Sequence, residues 1–310
     1  MVIKRKANNI VLSSGTRIAR YTIERKLASG GFGVVYAAKR DDGASVAIKE
    51  FMPSSLACRT VGDKGKVRIN NPADQKRFQE GLDTFFREAD MLARVQDDKV
   101  IAVWDVFKEN GTAYFVMPVE KGVTLQASIK NSYKMLSDGM IRELFIQAAK
   151  GVEALHENGL LHLDIKPHNL WLRPNGNVVV LDLGASRWKT EKGRTGQMIR
   201  TPGFAAPEQH GVIKFNDLSV KTDVYGLAAS MYAALEGKAP PHAPDRQKLK
   251  NEVPMLLKRV GQRHPQLLKV VDKGMSLDIN NRYNSIRELR LDLEKVPRQT
   301  DEENTSHDFL

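Results

Sequence analysis

The amino-acid sequence predicts an α+β chain in two lobes, a small antiparallel sheet carrying one main helix and then a larger, mostly helical lobe. Three observations carry this. From Tyr21 to about Val119, apolar residues alternate in short runs separated by turn signals, the period of half-buried strands. Inside that region Phe78, Leu82, Phe85, Ala89 and Leu92 fall at i, i+4, i+7, i+11 and i+14, one face of a helix. From about Met140 onward helical patterns dominate, interrupted by V-V-V-L-D, a run short enough for a buried strand.

Composition agrees. A length of 310 residues allows about two domains at roughly 150 residues each, with a core that needs no staples. At 41% hydrophobic and 27% charged, the chain lies far from the signature of disorder. The single cysteine, Cys58, cannot form an internal disulfide, and no run of 18 or more apolar residues occurs. A cytoplasmic protein without a membrane span is therefore expected. The net charge of +11 raises nucleic acid as a partner, but no aromatic residues interleave with the basic stretches, so a solvated basic surface is preferred and no nucleic acid is expected.

In chain order, residues 1–20 are polar and basic and read as a flexible lead. Residues 21–119 form the sheet lobe. There Y-T-I-E-R-K-L alternates, a glycine cluster follows, V-V-Y-A-A resumes, and D-D-G is a hairpin turn before S-V-A-I-K. Residues 51–77, with Pro53, Gly62, Gly65 and Pro72, read as an insertion in which K-G-K-V-R-I forms a small hairpin of its own. Residues 120–297 make the helical lobe, and 298–310 have the composition of a disordered tail.

Several segments carry chemistry. Glycines between two strands, as in A-S-G-G-F-G-V-V, let backbone N–H groups approach phosphate oxygens; a plain hairpin is the alternative, and the strand that follows argues against a dinucleotide or Walker-type loop. The period of two puts Ala47 and Lys49 on one face of their strand. Glu88 flanks the apolar stripe of the helix and could hold the Lys49 ammonium; the pattern alone leaves that pairing open against two surface charges. In H-L-D-I-K-P-H-N an Asp is followed by a Lys two residues later and an Asn five residues later, and another Asp comes at the end of the next strand. Together they supply a carboxylate to orient a hydroxyl, a cation for a moving phosphoryl group and two oxygen ligands for Mg²⁺.

These segments, with V-A-I-K, D-L-G in place of the usual D-F-G, A-P-E at Ala206 to Glu208 and D-V-Y-G at Asp223 to Gly226, occur in one order. From Tyr21 to Val296 the chain resembles a bacterial eukaryotic-like serine/threonine protein kinase. The resemblance implies the two-lobed kinase fold, transfer of the γ-phosphate of ATP with Mg²⁺ or Mn²⁺ to Ser/Thr hydroxyls of protein substrates, autophosphorylation, a bacterial signalling role and a cognate phosphatase as partner. It implies Asp164 as base or orienter of the hydroxyl, Lys166 as the cation for the phosphoryl group, Thr201 bonded to both, and Asn169 and Asp182 as metal ligands. It further implies that Lys49, paired with Glu88, meets the α and β phosphates, and that the loop of Ala28, Ser29, Gly30, Gly31, Phe32 and Gly33 covers them. Val35 and Ala47 would roof the adenine, Met117 would be the gatekeeper, Pro118 and Glu120 the hinge, and Trp171 the pocket floor or an interlobe packing residue. Glu208 with Arg282 would lock the activation segment, and Asp223 would brace the catalytic loop.

Departures matter too. Ala28 stands where the family has its first loop glycine, which implies at most weaker ATP binding. Leu163 stands where many kinases have an arginine that gathers a phosphorylated activation loop, so activity independent of that phosphorylation is expected. Two other readings compete with the kinase. A dead pseudokinase scaffold is opposed by Lys49, Asp164, Asn169 and Asp182, and a small-molecule phosphotransferase by the T-P-G-F-A-A-P-E peptide platform.

Overall fold

The computed structural model describes residues 11–31, 33–59, 65–132, 136–183, 187–188, 195–196, 200–210, 213–214, 217–248 and 265–297. It divides into two compact units, one of residues 1–96 and 101–120, the other of residues 97–100 and 121–310. The four residues 97–100 were expected in the sheet lobe. They group with the helical unit because the Lys99 carbonyl accepts from Val180 N–H at 2.7 Å, and a side chain at Gly151 would strike that same carbonyl.

The first unit is a six-stranded antiparallel sheet. Its strands are β1 (Arg17–Ile18), β2 (Tyr21–Ser29), β3 (Gly33–Arg40) and β4 (Ser45–Phe51), then β7 (Asp105–Glu109) and β8 (Thr112–Pro118), in the order β1-β2-β3-β4-β8-β7. Helix α1 (Gln75–Arg94) lies in this unit, and its predicted stripe of Phe78, Leu82, Phe85, Ala89 and Leu92 is buried. Period two sorts the sheet into two cores. One gathers Ile18, Tyr21, Ile23, Val34, Tyr36, Val46, Ile48 and Tyr114. The other gathers Phe51, Phe78, Leu82, Phe85 and Phe115 around α1, with Phe85 and Phe115 stacked at 4.9 Å between centroids.

Two expectations change here. The lead does not stay loose up to residue 20: Leu12 and Ile18 are buried, and β1 pairs with β2. Two apolar side chains, nine and three residues upstream of the first long strand, were enough to extend the core. In the insertion, Arg68–Ile69 (β6) pairs with Ala57–Cys58 (β5) and not with its own sequence neighbours. Residues 1–10 of the lead, 60–64 of the insertion and 298–310 of the tail lie outside the described residues.

The insertion is tied to the sheet by charge. Glu50, fully buried on the face of β4 opposite Lys49, accepts from Tyr36 Oη at 2.8 Å, from Tyr114 Oη at 2.8 Å and from the Arg59 guanidinium. Arg59, itself 3% exposed, also donates from Nε to the Gly65 carbonyl at 2.6 Å. Burial, then the Glu50 charge, push both phenols above their ordinary values, so they stay protonated donors. The backbone N–H of Leu12 closes the group on Tyr36 Oη.

The second unit opens with β9 (Val123–Thr124) and α2 (Leu125–Ser132), followed by α3 (Asp138–Glu157), which is capped by the Ser137 hydroxyl on Met140 N–H. A short β10 (Leu160–Leu161) leads to β11 (Leu170–Leu172) and β12 (Val178–Val180), and β11 pairs with β12 on one side and β9 on the other. Helix α4 (Val220–Glu236) is buried on nearly every side, with Ser219 as N-cap and left-handed Gly237 as its stop. Helices α5 (Ala243–Lys248), α6 (Pro265–Gly274) and α7 (Ile286–Lys295) complete the unit. No helix among the described residues is long and apolar enough to cross a membrane.

Removing one partner of a buried pair leaves an uncompensated charge, at a cost of about 3–5 kcal/mol. Arg59→Ala is expected to lose that much in urea denaturation, and adding Glu50→Gln to it to recover part of the loss. Wild-type stability in Arg59→Ala would contradict the pairing.

Candidate active site

In the sheet unit, Lys49 and its neighbours are fixed by register. β4 runs between β3 and β8, so Lys49 lies between Val35 and Phe115, and Ala47 between Ala37 and Met117. The Lys49 Nζ donates to Glu88 Oε1 at 2.7 Å and stands 5.2 Å from the Phe115 ring centroid. Glu88, 5% exposed, is turned inward from α1, so it does not behave as a surface charge. The turn at the end of β2 is closed by Gly30 N–H on the Gly33 carbonyl at 2.9 Å. At Gly33 a Cβ would run into the Glu50 carbonyl, whereas Gly30 and Gly31 have nothing within 4 Å of theirs. The backbone at Gly30 and Gly31 therefore has room for a group to approach it closely. Ala28 is extended and pairs with Val35, where no glycine is required. Met117 and Pro118 end β8, Glu120 is half-buried just after it, and Phe32 lies outside the described residues.

In the helical unit the catalytic loop is a closed hydrogen-bonded set. Asp164 Oδ2 accepts from Lys166 Nζ at 2.6 Å, Asp164 Oδ1 accepts from Thr201 Oγ1 at 2.7 Å, and Lys166 Nζ donates to Thr201 Oγ1 at 3.0 Å. Asn169, 5% exposed, donates an amide N–H to the Asp164 carbonyl at 3.0 Å, which fixes the side chain. Strand β12 ends at Val180, two residues before Asp182, and Asp182 is exposed on left-handed backbone, φ 60°. The Leu181 carbonyl just before it meets His162 Nε2 at 3.1 Å. Trp171 donates its indole N–H to the Lys121 carbonyl at 3.2 Å, so its ring is held by the segment leading into β9.

Beneath this set, Asp223 near the start of α4 is fully buried. It accepts the backbone N–H of His162 at 2.8 Å and of Leu163 at 2.7 Å, and it meets His156 Nε2 at 2.7 Å. Burial alone would raise its carboxyl, but the His156 bond and charge together with the backbone donors outweigh it and hold the group below the ordinary carboxylate value. Leu163 sits at φ 65°, and Gln209 Nε2 takes up its carbonyl at 2.8 Å. A leucine in the left-handed region is costly, and the two bonds on it, its N–H to Asp223 and its carbonyl from Gln209, are what hold it there. Glu208 receives Arg282 at 2.7 and 3.0 Å and the Thr222 hydroxyl at 2.9 Å. Burial, then the Lys166 charge, hold His168 below its ordinary value, so it is neutral at pH 7.

Among known families, the protein kinase domain family matches residues 21–290. The chain belongs to the protein kinase family. A solved structure described as the PpkA-294 apo form superposes on this kinase with a TM-score of 0.81 at 30% identity, covering 92% of this chain and 100% of the other. The probable serine/threonine-protein kinase zyg-1 of Caenorhabditis briggsae is 26% identical over 87% of this chain and 33% of its own length. The serine/threonine-protein kinase PknB of Mycolicibacterium smegmatis is 29% identical over 68% of this chain and 35% of its own. The chain thus spans about a third of these curated relatives. Kinases of this family use ATP and Mg²⁺ and act on proteins. Among the described residues no three His, Cys, Asp or Glu side chains form a metal cage, and Mg²⁺ needs none, since one or two protein oxygens usually suffice beside phosphates and water.

Sequence reasoning passed over His156 and Gln209. Both act on the catalytic loop from distant positions, and no local motif announces either.

The Asp223 carboxyl is depressed on folding, so its stabilisation is complete above the unfolded value near 4 and drains away as pH falls through the lower folded value. Asp223→Ala is expected to flatten that acid limb. It should also cut hydrogen-exchange protection of the His162 and Leu163 amides about tenfold or more, since bonds to a charged acceptor are worth about 1.5–3 kcal/mol. Unchanged protection would contradict the anchoring.

Proposed function

We propose that this chain is a protein serine/threonine kinase that moves the γ-phosphate of ATP to Ser or Thr hydroxyls, its own included, in cytoplasmic bacterial-type signalling. The observation that carries this is the triangle of Asp164, Lys166 and Thr201, in which a hydroxyl already sits on the carboxylate and a cation stands beside both. A substrate hydroxyl on Asp164 is oriented with its proton toward the carboxylate. Its oxygen bonds to the γ-phosphorus as the bond to the β–γ bridging oxygen breaks, the proton leaves toward Asp164, and ADP departs. Lys166 offsets charge on the moving group.

Asn169 and Asp182 are assigned to Mg²⁺, with Mn²⁺ as a substitute; the bound ion neutralises phosphate charge. Lys49, kept in place by Glu88, is assigned to the α and β phosphates, and the backbone from Ala28 to Gly33 to their oxygens. Val35, Ala47, Met117, Pro118, Glu120 and Trp171 are assigned to the adenine. Protein substrates follow from the family, and a partner phosphatase is part of the same proposal. An assembled Lys49–Glu88 pair and Asp164 triangle favour transfer over a scaffold that only binds nucleotide.

Labelled γ-phosphate transfer from Mg-ATP to the chain itself and to acidic and basic test proteins measures this. Asp164→Asn is expected to lose about 10²–10⁴-fold, and Lys49→Met to be comparably impaired. Phosphoserine or phosphothreonine should be recovered from the wild type. Binding of nucleotide without any transfer by the wild type would overturn the proposal.

Leu163 offers no cation to a phosphorylated activation loop. Alanine at Thr190 and Thr195 is therefore expected to leave turnover within about twofold of wild type, and a loss well beyond that would refute the independence. Thr190 lies outside the described residues, as does the Thr195 side chain.

A further inference from the structure

Asp164 is aimed by the peptide unit that joins it to Leu163, and that unit is held at both ends. The Leu163 carbonyl accepts from Gln209 Nε2 at 2.8 Å, and the Asp164 N–H donates to His162 Nδ1 at 3.3 Å. With Nδ1 as acceptor, His162 Nε2 is the protonated nitrogen and donates to the Leu181 carbonyl at 3.1 Å. A peptide is planar, so fixing its oxygen and its N–H fixes the direction in which Asp164 leaves it. The two amides gripped by Asp223 lie before this plane, not in it.

Gln209 spends both ends of its side-chain amide here. It is 3% exposed and ends the short 3₁₀ turn Pro207–Gln209 of the peptide platform. Its Oε1 accepts from Ala206 N–H at 2.9 Å and its own N–H donates to the Ala206 carbonyl at 2.9 Å, so the side chain is anchored before it reaches Leu163. These bonds close a circuit. From Ala206 the chain runs back through a turn in which Phe204 and Ala205 N–H reach the Thr201 carbonyl, at 3.1 and 3.0 Å, and the Thr201 hydroxyl returns to Asp164 Oδ1 at 2.7 Å. Asp164 is thus set by its side chain from Thr201 and by its backbone from Gln209, and both holds lead to Ala206. Leu163 makes the second hold necessary, because a leucine at φ 65° gains by leaving that region once its carbonyl is released.

We infer that Gln209 is a positioning residue of phosphoryl transfer, fixing the peptide plane that carries Asp164 and so placing the carboxylate against the acceptor hydroxyl. The inference rests on the kinase reading above and deepens it. Its signature is a fall in kcat with both KM values kept, since misplacing a reacting group by about 1 Å costs up to about a hundredfold.

The test measures steady-state transfer from Mg-ATP by the full chain to the better of the acidic and basic test proteins. Gln209→Met keeps the length of the side chain and loses both of its bonds. It is expected to lower kcat about 10–100-fold and to leave the KM of ATP and of the test protein within about twofold. Leu163→Gly supplies the second variant, because glycine takes φ 65° without strain and needs no grip on its carbonyl. Added to Gln209→Met, it is expected to raise kcat about threefold or more, a gain that misfolding cannot produce. A kcat within about twofold of wild type in Gln209→Met, a loss confined to KM, or no gain from Leu163→Gly would overturn the inference.

Carbon-13 shifts of Leu163 separate this inference from the kinase reading, since they report the backbone region of one residue and need no turnover. Wild-type transfer, with left-handed shifts that are lost in Gln209→Met, is the expected result. The same loss of shifts without transfer by the wild type would sink the kinase reading and uphold the hold on Asp164. Transfer by the wild type with the shifts unmoved would sink the inference alone, and absence of both would sink both.

Discussion

One buried carboxylate organises the helical unit. Asp223 offers two oxygens to three donors, two of them the consecutive backbone amides of His162 and Leu163, and it does so from near the start of the most enclosed helix in the chain. Backbone amides are fixed in direction by the peptide plane, so gripping two in succession sets the course of the chain for the next residues. Asp164 is the next residue. The side chain that meets a hydroxyl is therefore aimed by a charge that itself never meets solvent, and the aim is exact only while that charge persists. Gln209 works on the same residue from the other side through the Leu163 carbonyl, and Glu208 beside it is held by Arg282. Peptide platform and catalytic loop are thus parts of one hydrogen-bonded frame.

The sheet unit solves a different problem, that of a lysine that must stay charged on an apolar strand. Alternation on β4 sends Lys49 to one face and Glu50 to the other. On the first face one carboxylate from α1 and the face of Phe115 neutralise the ammonium. On the second, two phenols and a guanidinium enclose the carboxylate. Adjacent residues of opposite charge are each satisfied inside the protein without meeting one another.

Most of the fold was legible in the sequence because its signals are local. The alternation of the β-strands, the stripe on α1, and the Asp, Lys and Asn of the catalytic loop are all read within a few residues. What escaped was carried by contacts across long stretches of chain. Leu12 looks like part of a polar lead until Tyr36 and its neighbours are there to cover it. Arg59 is one arginine among many until Glu50 stands opposite. His156 closes an ordinary helix, and only the fold sets it against Asp223. The Lys49–Glu88 pair, open on pattern alone, is decided by α1 turning Glu88 inward. The end of β12 was placed two residues late because the apolar run V-V-V-L continues beyond the ladder, and the backbone turns left-handed at Asp182 to leave it.

The Glu50–Arg59 contact also bears on how this chain can have diverged. A carboxylate enclosed on every side is tolerable only while its cation is present, and here the cation arrives on the segment that follows β4. The two positions are therefore coupled: a change at Arg59 that removes its charge is tolerable only together with a neutral residue at Glu50. Related sequences should therefore carry both or neither, which makes this pair a marker of descent that can be followed without reference to catalysis.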